Sequence, residues 1–487
     1  MHCNTIRTQL QSGTRFIQTR LASLFYPGGL QYGMPPLASL RRRRHSVIWI
    51  SAYAWLSFCS ACSTTDMQVD GQFNDWSNPT SRTQVVGSEL WVDIRTPGPP
   101  VNLQQLTKPM TLELQLDDGM QQTIELTFSP LPRSMGVELA ILHADGTREI
   151  RSPYELDVSF APTIAANRFE LAIDLASVTN GPVRGRLHGL DVHDQVEFFL
   201  NQPSQYANPT AHIPPSDDGS MRIVSWNVQF GTLLKKPLIA ARLLRAMAPD
   251  VLLLQELEDE QTTQGLCAFL NATLGTTPHP WRAVASPPGS RLRSMVAARS
   301  HQPPPPMPAV VDRAGAPLRA AFMPITWGSK TWLAGSVHLR CCGGIGGPQD
   351  LERINESVAI NDAIDGFIQT KLPAGIILGG DLNLVGSDKP LQILTTHRDL
   401  DGSDLHVANA MQLDQRSWAT WSDDDSAFTP GRLDWLLYSG SALQQSCGFV
   451  LDTRDLAPSA LDLHGLTVTD TAQISDHLPL VMDAKLH

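Results

Sequence analysis

Six short apolar runs in the second half of the chain each carry a carboxylate, an amide or an imidazole at their boundary. This pattern restricts the fold more than any other feature. Arg-Ile-Val-Ser-Trp leads to Asn227, Val-Leu-Leu-Leu-Gln to Glu256, and Leu-Ala-Gly-Ser-Val to His338. Ile-Ile-Leu-Gly-Gly leads to Asp381 and, two residues on, to Asn383; Arg-Leu-Asp-Trp-Leu-Leu carries Asp434, and Ile-Ser-Asp-His-Leu-Pro carries Asp476 and His477. An apolar run bounded by turn residues reads as a buried strand. Six such strands delivering polar groups to their ends predict one polar cleft. Carboxylates suit a hard cation such as Mg²⁺, and imidazoles suit proton transfer.

In this order the motifs resemble the endonuclease/exonuclease/phosphatase superfamily, which includes pancreatic-type deoxyribonucleases, base-excision-repair endonucleases, bacterial sphingomyelinases and inositol-polyphosphate phosphatases. The resemblance covers about Met221 to the C-terminus. It implies an α/β domain, residues 221–487, built as a four-layer α/β/β/α sandwich. It further implies a divalent cation, Mg²⁺ with Mn²⁺ or Ca²⁺ as alternatives, held by Glu256 and Asp476 with Asn227 on the metal or the phosphate. Asp381 would orient and deprotonate the attacking water, and Asn383 would hold phosphate. His477 would donate to phosphoryl oxygens, with Asp434 fixing its tautomer, and His338 would stabilise the transition state or protonate the leaving oxygen. Taken singly, Gly-Asp-x-Asn is equally an Asx turn, and Ser-Asp-His a strand cap. The ordered set is what points to a site. Relatives pair the residue at His338 with an acid on the preceding strand; here that strand, about Ser294 to Arg299, has none, so the partner of His338 stays open.

The wider acid-free stretch between Glu260 and Asp312 holds Arg282, Arg291, Arg293 and Arg299. Guanidinium groups suit bidentate phosphate contact, so Arg291 and Arg293 are expected to clamp phosphate, with solvated surface charge as the alternative. The expected partner is a phosphodiester or phosphomonoester substrate, nucleic acid first and a sphingomyelin, phospholipid or inositol phosphate second. A third reading is an inactive surface protein that binds through its first domain.

Composition bounds these readings. Hydrophobic content of 42% with 17% charged residues describes a folded chain long enough for two or three domains. The net charge is −11, yet residues 1–65 carry seven Arg and no acid, so the remainder is more acidic still, near −18. Such a body disfavours nonspecific nucleic-acid binding, which rests on phosphate neutralisation. A cation and local arginines still set the field inside a cleft.

Residues 1–62 read as a targeting segment. Arg41 to Arg44 precede the apolar stretch Val47 to Phe58 and then Ser60-Ala61-Cys62. A basic region, an apolar core and small residues describe an export signal. Ser60-Ala61-Cys62 resembles a bacterial lipobox, with Cys59 standing where Leu is usual, so Cys62 is the expected lipidation site and tether to the cell envelope. The alternatives are plain secretion, a short membrane anchor and an organelle transit peptide; Met34 is a second candidate start.

Residues 67–200 alternate apolar and polar positions between turns, as in Thr111 to Leu116, and predict an all-β sandwich. Val69-Asp70-Gly71 with Asn74-Asp75-Trp76 resembles the opening of sandwiches related to family-nine carbohydrate-binding modules, which implies a glycan contact; the alternative is that Trp76 fills the core. Residues 201–220, rich in Pro, Ser and Asp, read as a linker. Helices are expected over Lys236 to Met247 and over Asp350 to Thr370, the latter capped by Asp350. Cys267, Cys341, Cys342 and Cys447 could form a vicinal disulfide at 341–342, pair separately, or stay thiols.

Overall fold

The computed structural model describes residues 67–487 except 78–81, 118–121, 130–134, 179–182, 190–191 and 201–208. The expected targeting segment with Cys62, and the first part of the expected linker, lie outside the described residues. Thr64–His487 forms one compact unit.

The alternating segments form two antiparallel sheets. One has the order Thr83–Val86, Glu89–Arg95, Arg168–Asp174, Ser159–Ala161; the other runs Val192–Leu200, Val183–Gly189, Met110–Asp117, Thr123–Phe128, Val137–Leu142, Arg148–Arg151. Their inward positions, among them Val92, Ile94, Leu112, Leu114, Phe128 and Phe169, share one core. Period-two alternation produces this in Met110–Asp117 and Thr123–Phe128, whose buried residues fall on one face, whereas Glu89–Arg95 and Arg168–Asp174 are buried on both faces. Trp76 lies apart from that core, only 5% exposed, packed with Met67, Val69 and Trp91. Its Nε1 donates to Glu170 Oε1 at 2.8 Å. Trp76 is thus a packing residue and offers no open ring face to a sugar.

From Met221 onward the chain builds two further sheets. The seven-stranded sheet has the order Trp281–Ala285, Leu292–Arg299, Val251–Glu258, Met221–Asn227, Leu480–Leu486, Leu443–Val450, Met411–Gln412. The five-stranded sheet runs Ala320–Trp327, Lys330–His338, Ile376–Asp381, Asp434–Tyr438, His406–Val407. Residues 223, 253 and 482 of the first meet 334, 377 and 436 of the second in the central core. Helices Pro237–Met247 and Thr263–Leu274 cover the outer face of the first sheet, and Pro348–Lys371 with Lys389–Thr395 covers that of the second. The result is an α/β/β/α sandwich preceded by an all-β sandwich. Both faces of each central sheet are covered, which is why these strands read as unbroken apolar runs.

Gly379 faces Leu253 and Ser225 across the sheets; a Cβ there would come within 2.7 Å of Leu253 Cδ1. Its lack of a side chain lets the sheets close tightly just below the polar rim. The expected cap at Asp350 is corrected: helix Pro348–Lys371 starts earlier, with Gly347 at the N-cap and Pro348 at the first position. Proline is preset for that position. Asp350 instead lies in the first turn, accepting from Gly346 N (2.9 Å), Ser387 N (3.0 Å) and Arg353 Nη2 (3.1 Å). Among the described residues no helix is long and apolar enough to cross a membrane, and none of the cysteines forms a disulfide; Cys341 and Cys342 hold their Sγ atoms 3.0 Å apart.

Candidate functional site

Three neighbouring strands of the five-stranded sheet place His338, Asp381 and Asp434 in one register row, His338 opposite Asp381 and Asp381 opposite Asp434. Residues in one row point to the same side of a sheet. Since Ala334, Ile377 and Leu436 pack between the sheets, even-step counting sends all three polar groups inward as well. They sit where the apolar filling ends. Asn227 comes from the facing sheet by the same count from Ile223.

Glu256 does not follow this rule. Leu252 and Leu254 pack outward against helices, so strict alternation would send Glu256 outward with them. The pairing of Val251–Glu258 with Leu292–Arg299 shifts register between Leu254 and Leu257, and Glu256 has φ +60°. One extra residue in a strand re-aims a side chain. This bulge turns Glu256 to the cleft, where Oε1 lies 3.8 Å from His338 Nε2 and Oε2 accepts from Phe230 N at 3.2 Å.

Asp381, 1% exposed, is the hub. Its Oδ1 accepts from the Asn383 backbone N–H (2.9 Å), and Oδ2 accepts from Asn383 Nδ2 (3.0 Å) and Asn227 Nδ2 (3.1 Å). His338 Nε2 stands 3.4 Å and His477 Nε2 3.8 Å from the same oxygen. Burial pushes the Asp381 carboxyl up to about 7, with Asp434 and Glu256 adding to the rise and His477 opposing it. His477 Nδ1 lies 2.7 Å from Asp434 Oδ2. Burial opposes protonation of His477, but the carboxylates of Asp434, Asp381 and Asp476 outweigh it and push the imidazole up to about 10. His338 goes the other way: burial first, then the charges of Arg319 and His477, hold it well below the usual histidine range. One imidazole is therefore a cation at neutral pH and the other a neutral ring.

The ligand atoms of Glu256, His338 and Asp381 lie within 4.8 Å of one another, as do those of Asp381, Asp434 and His477. Asp476 belongs to neither group; its Oδ2 accepts from Trp421 Nε1 at 3.0 Å. Two of these groups keep spare buried capacity, because Asp434 Oδ1 and His338 Nδ1 have no hydrogen-bond partner. Clustered carboxylates flanked by amides are hard oxygen donors, so the residues present fit a divalent cation of the Mg²⁺, Mn²⁺ or Ca²⁺ type.

The two expected phosphate-clamp arginines differ. Arg291 is exposed, with its guanidinium 5.2 Å from the centre of the Phe230 ring, beside the Glu256 contact. Arg293 is half-buried and gives its Nε to Ser286 O at 2.8 Å. Arg299 donates to Leu274 O and Gly275 O at the end of helix Thr263–Leu274, as cations do at helix C-termini.

Two groups were missed in the sequence. Arg319 places Nη1 3.4 Å from His338 Nε2 and gives Nη2 to Leu339 O at 2.9 Å. The strand that precedes Lys330–His338 and pairs antiparallel with it is Ala320–Trp327, not the Ser294–Arg299 strand, and Arg319 stands at its head. So the group facing His338 from that side is a cation, not an acid. An arginine just before the apolar run Ala320-Ala-Phe-Met was the available sign. Trp421 was missed too, since it lies in a loop with no motif.

No curated protein sequence matches the chain. Among solved structures the chain is similar to a 3'-5' exonuclease (NExo) from Neisseria meningitidis, at 18% identity over 55% of this chain and 99% of that one, TM-score 0.37. It is also similar to an AP endonuclease from Archaeoglobus fulgidus (12%, 54% and 98%, TM-score 0.35) and to sphingomyelinase C from Streptomyces griseocarneus (15%, 54% and 99%, TM-score 0.34). The profile of the Endonuclease/Exonuclease/phosphatase family matches residues 224–477, more than half of the chain, a span that holds every strand-end residue of the cleft from Asn227 to His477. The chain therefore belongs to the Endonuclease/Exonuclease/phosphatase family, whose members are divalent-metal-dependent phosphoester hydrolases.

Proposed function

We propose that the cleft hydrolyses a phosphodiester, with Mg²⁺ as the cation and nucleic acid as the substrate. The observation that carries this reading is the buried Asp381 carboxylate, gripped by Asn227 and Asn383, with one cationic and one neutral imidazole beside it. A carboxyl pushed up to about 7 is matched to taking a proton near neutral pH. Asp381 takes the proton of the attacking water, held in position by the two amides. Asn227 also presents its second amide N–H to phosphoryl oxygens, whereas the Asn383 amide spends both hydrogens on Asp381 Oδ2 and Leu339 O and reaches phosphate by exchanging the latter. His477, kept protonated and oriented by Asp434, donates to the oxygen that gains charge. His338, a neutral ring, donates a hydrogen bond to the leaving oxygen in the tautomer that carries its proton on Nε2, the nitrogen 3.4 Å from Asp381 Oδ2.

Glu256 and Asp476 supply the carboxylates that hold the cation, Asp476 being oriented by Trp421. A bound divalent cation would polarise the phosphoryl group and stabilise the leaving oxygen. Arg291 with Phe230 beneath it offers a charge and a ring face at the rim, an arrangement suited to a phosphate and a stacked base. Arg293 has less freedom for that role. An acidic body with the Arg291 charge at the rim favours a substrate drawn into the cleft over nonspecific coating.

A second reading, a lipid-phosphodiester hydrolase, draws on exposed Ile345 (46%) and Leu351 (53%) around the loop that follows His338. We further propose export with lipidation at Cys62, which would tether the enzyme to the cell envelope. Hydrolysis of single- and double-stranded DNA, RNA, sphingomyelin, inositol phosphates and bis-p-nitrophenyl phosphate, with Mg²⁺ and with EDTA, tests these readings. Turnover of the nucleic acids that EDTA abolishes is expected. Asp381→Asn should lower kcat about 10²- to 10⁴-fold, the usual worth of a general base, and hydrolysis at the wild-type rate in that variant would remove Asp381 from the role.

A further inference from the structure

The first sandwich does more than pack beside the cleft: its contacts converge on the loops that carry the cleft residues. The segment 420–422 is the hinge of this arrangement. Leu478 N donates to Thr420 O (2.7 Å), Ser422 N to Asp476 O (2.9 Å), and Trp421 Nε1 to Asp476 Oδ2. On its other edge Thr420 and Trp421 share hydrogen bonds with Gly431, and Thr420 Oγ1 accepts from Asp434 N at 2.8 Å. Thr420 to Ser422 thus sets the backbone of Asp434, Asp476 and His477 together.

The connection between Ser422 and Gly431 has no regular structure, and the sandwich supplies its anchors. Tyr154 Oη donates to Phe428 O (2.9 Å) and accepts from Asp423 N (3.1 Å), spanning both arms of that loop. Thr429 N donates to Gln104 Oε1 at 3.0 Å, and Val137 N to Ala427 O at 2.8 Å. The same side of the sandwich reaches a second cleft loop. Asn102 Nδ2 donates to Val385 O (3.0 Å) and Ala165 N to Gly386 O (2.8 Å), two and three residues beyond Asn383. Asn102 and Gln104 are 7% and 6% exposed and belong to one short turn, Leu103–Gln105 with Asn102 at its N-cap. Polar groups that deeply buried are specific only when their partners are in place.

We propose that Asn102, Gln104 and Tyr154 are positioning residues of the hydrolytic cleft, holding the 383–386 and 420–434 loops so that Asp476 meets the cation. This rests on the assignment of Asp476 as a metal carboxylate. Partners of metal ligands change affinity about 10- to 100-fold when removed. Trp421 touches Asp476 directly, and Tyr154 acts one bond further out.

The test is Mn²⁺ binding to the full chain, read from the electron paramagnetic resonance of free Mn²⁺, with melting temperature alongside. Trp421→Phe should weaken binding roughly 10-fold or more, and Tyr154→Phe and Gln104→Ala roughly three- to ten-fold, scaled down from the direct-partner range. Weaker binding in all three supports the proposal. Weaker binding in Trp421→Phe alone overturns it and leaves the metal assignment standing. A lower melting temperature with unchanged binding in the sandwich variants also overturns it, since the sandwich then only stabilises. A wild-type chain that binds no Mn²⁺ overturns the metal assignment itself and this proposal with it.

Discussion

Asp434→Asn separates two things that Asp434 does for His477: accept its Nδ1–H and hold it charged. The asparagine amide oxygen can still accept across the 2.7 Å gap, because Asp434 Oδ1 already lacks a partner and its place can take the NH₂. Only the negative charge is lost. A neutral acceptor makes a bond about half as strong as a charged one, a loss of about 1 kcal/mol or roughly five-fold in rate. The larger effect is on protonation. Asp434 is the leading contributor that raises His477 to about 10 against burial, and an adjacent opposite charge typically accounts for about 1–3 pKa units. The variant imidazole should then titrate between about 7 and 9. Below that window it stays protonated, and kcat should fall only about five-fold at pH 6.5. At pH 9 the imidazolium fraction drops roughly 2- to 100-fold further, so the total loss should reach about 10- to 500-fold. The assay is kcat on bis-p-nitrophenyl phosphate at saturating Mg²⁺, from pH 6 to 9.5, for both proteins. A constant ratio across that range would refute the assignment of His477 as a cation maintained by Asp434.

Two further predictions concern stability. Arg222 and Asp483 form a fully buried pair (2.7 Å, 2% and 0% exposed); removing either partner leaves an unpaired buried charge, so Arg222→Ala and Asp483→Ala should each cost about 3–5 kcal/mol in urea unfolding, and the double variant should cost less than their sum. Additivity would show the pair is not coupled. In chelator-treated protein the melting temperature should fall as pH rises from 6.5 to 8.5. Burial raises Glu170 to about 8 and Glu356 to about 7, so the folded chain holds these protons more tightly than the unfolded one; the stability they contribute is full below the unfolded carboxyl range and lost through pH 7–8. A melting temperature that climbs over that interval would contradict the sign.

Much of the cleft was legible because the code behind it is local. An apolar run followed by a polar residue marks both a buried strand and the point where it leaves the core, and Asn227, His338, Asp381 and Asp434 follow that rule with period two. Glu256 reaches the cleft by breaking it. Its motif marked the residue, but nothing in Val-Leu-Leu-Leu-Gln-Glu-Leu announces a bulge, because the alternation that a bulge interrupts is hidden when both strand faces are apolar. The cap at Asp350 failed for a related reason. Pro348 and Gly347 carry a start signal as strong as the acid, and the acid was free to serve Ser387 across a loop instead.

Arg319, Trp421 and the Asn102–Gln105 turn escaped for a different reason, and it is the more general one. A residue that orients another does so through long-range contacts: Asn102 meets Val385 across 283 positions and Thr429 meets Gln104 across 325. Neither contact has a spacing that a motif could capture, and each needs only one amide in the right place. The strand-end residues are confined to a few types by the chemistry proposed for them, so their identities are informative. The residues that hold them are confined by geometry alone. A cleft of this kind is therefore readable from sequence as far as the polar groups at its strand ends, and its supports emerge only when the chain is folded and the partner of each buried amide can be named.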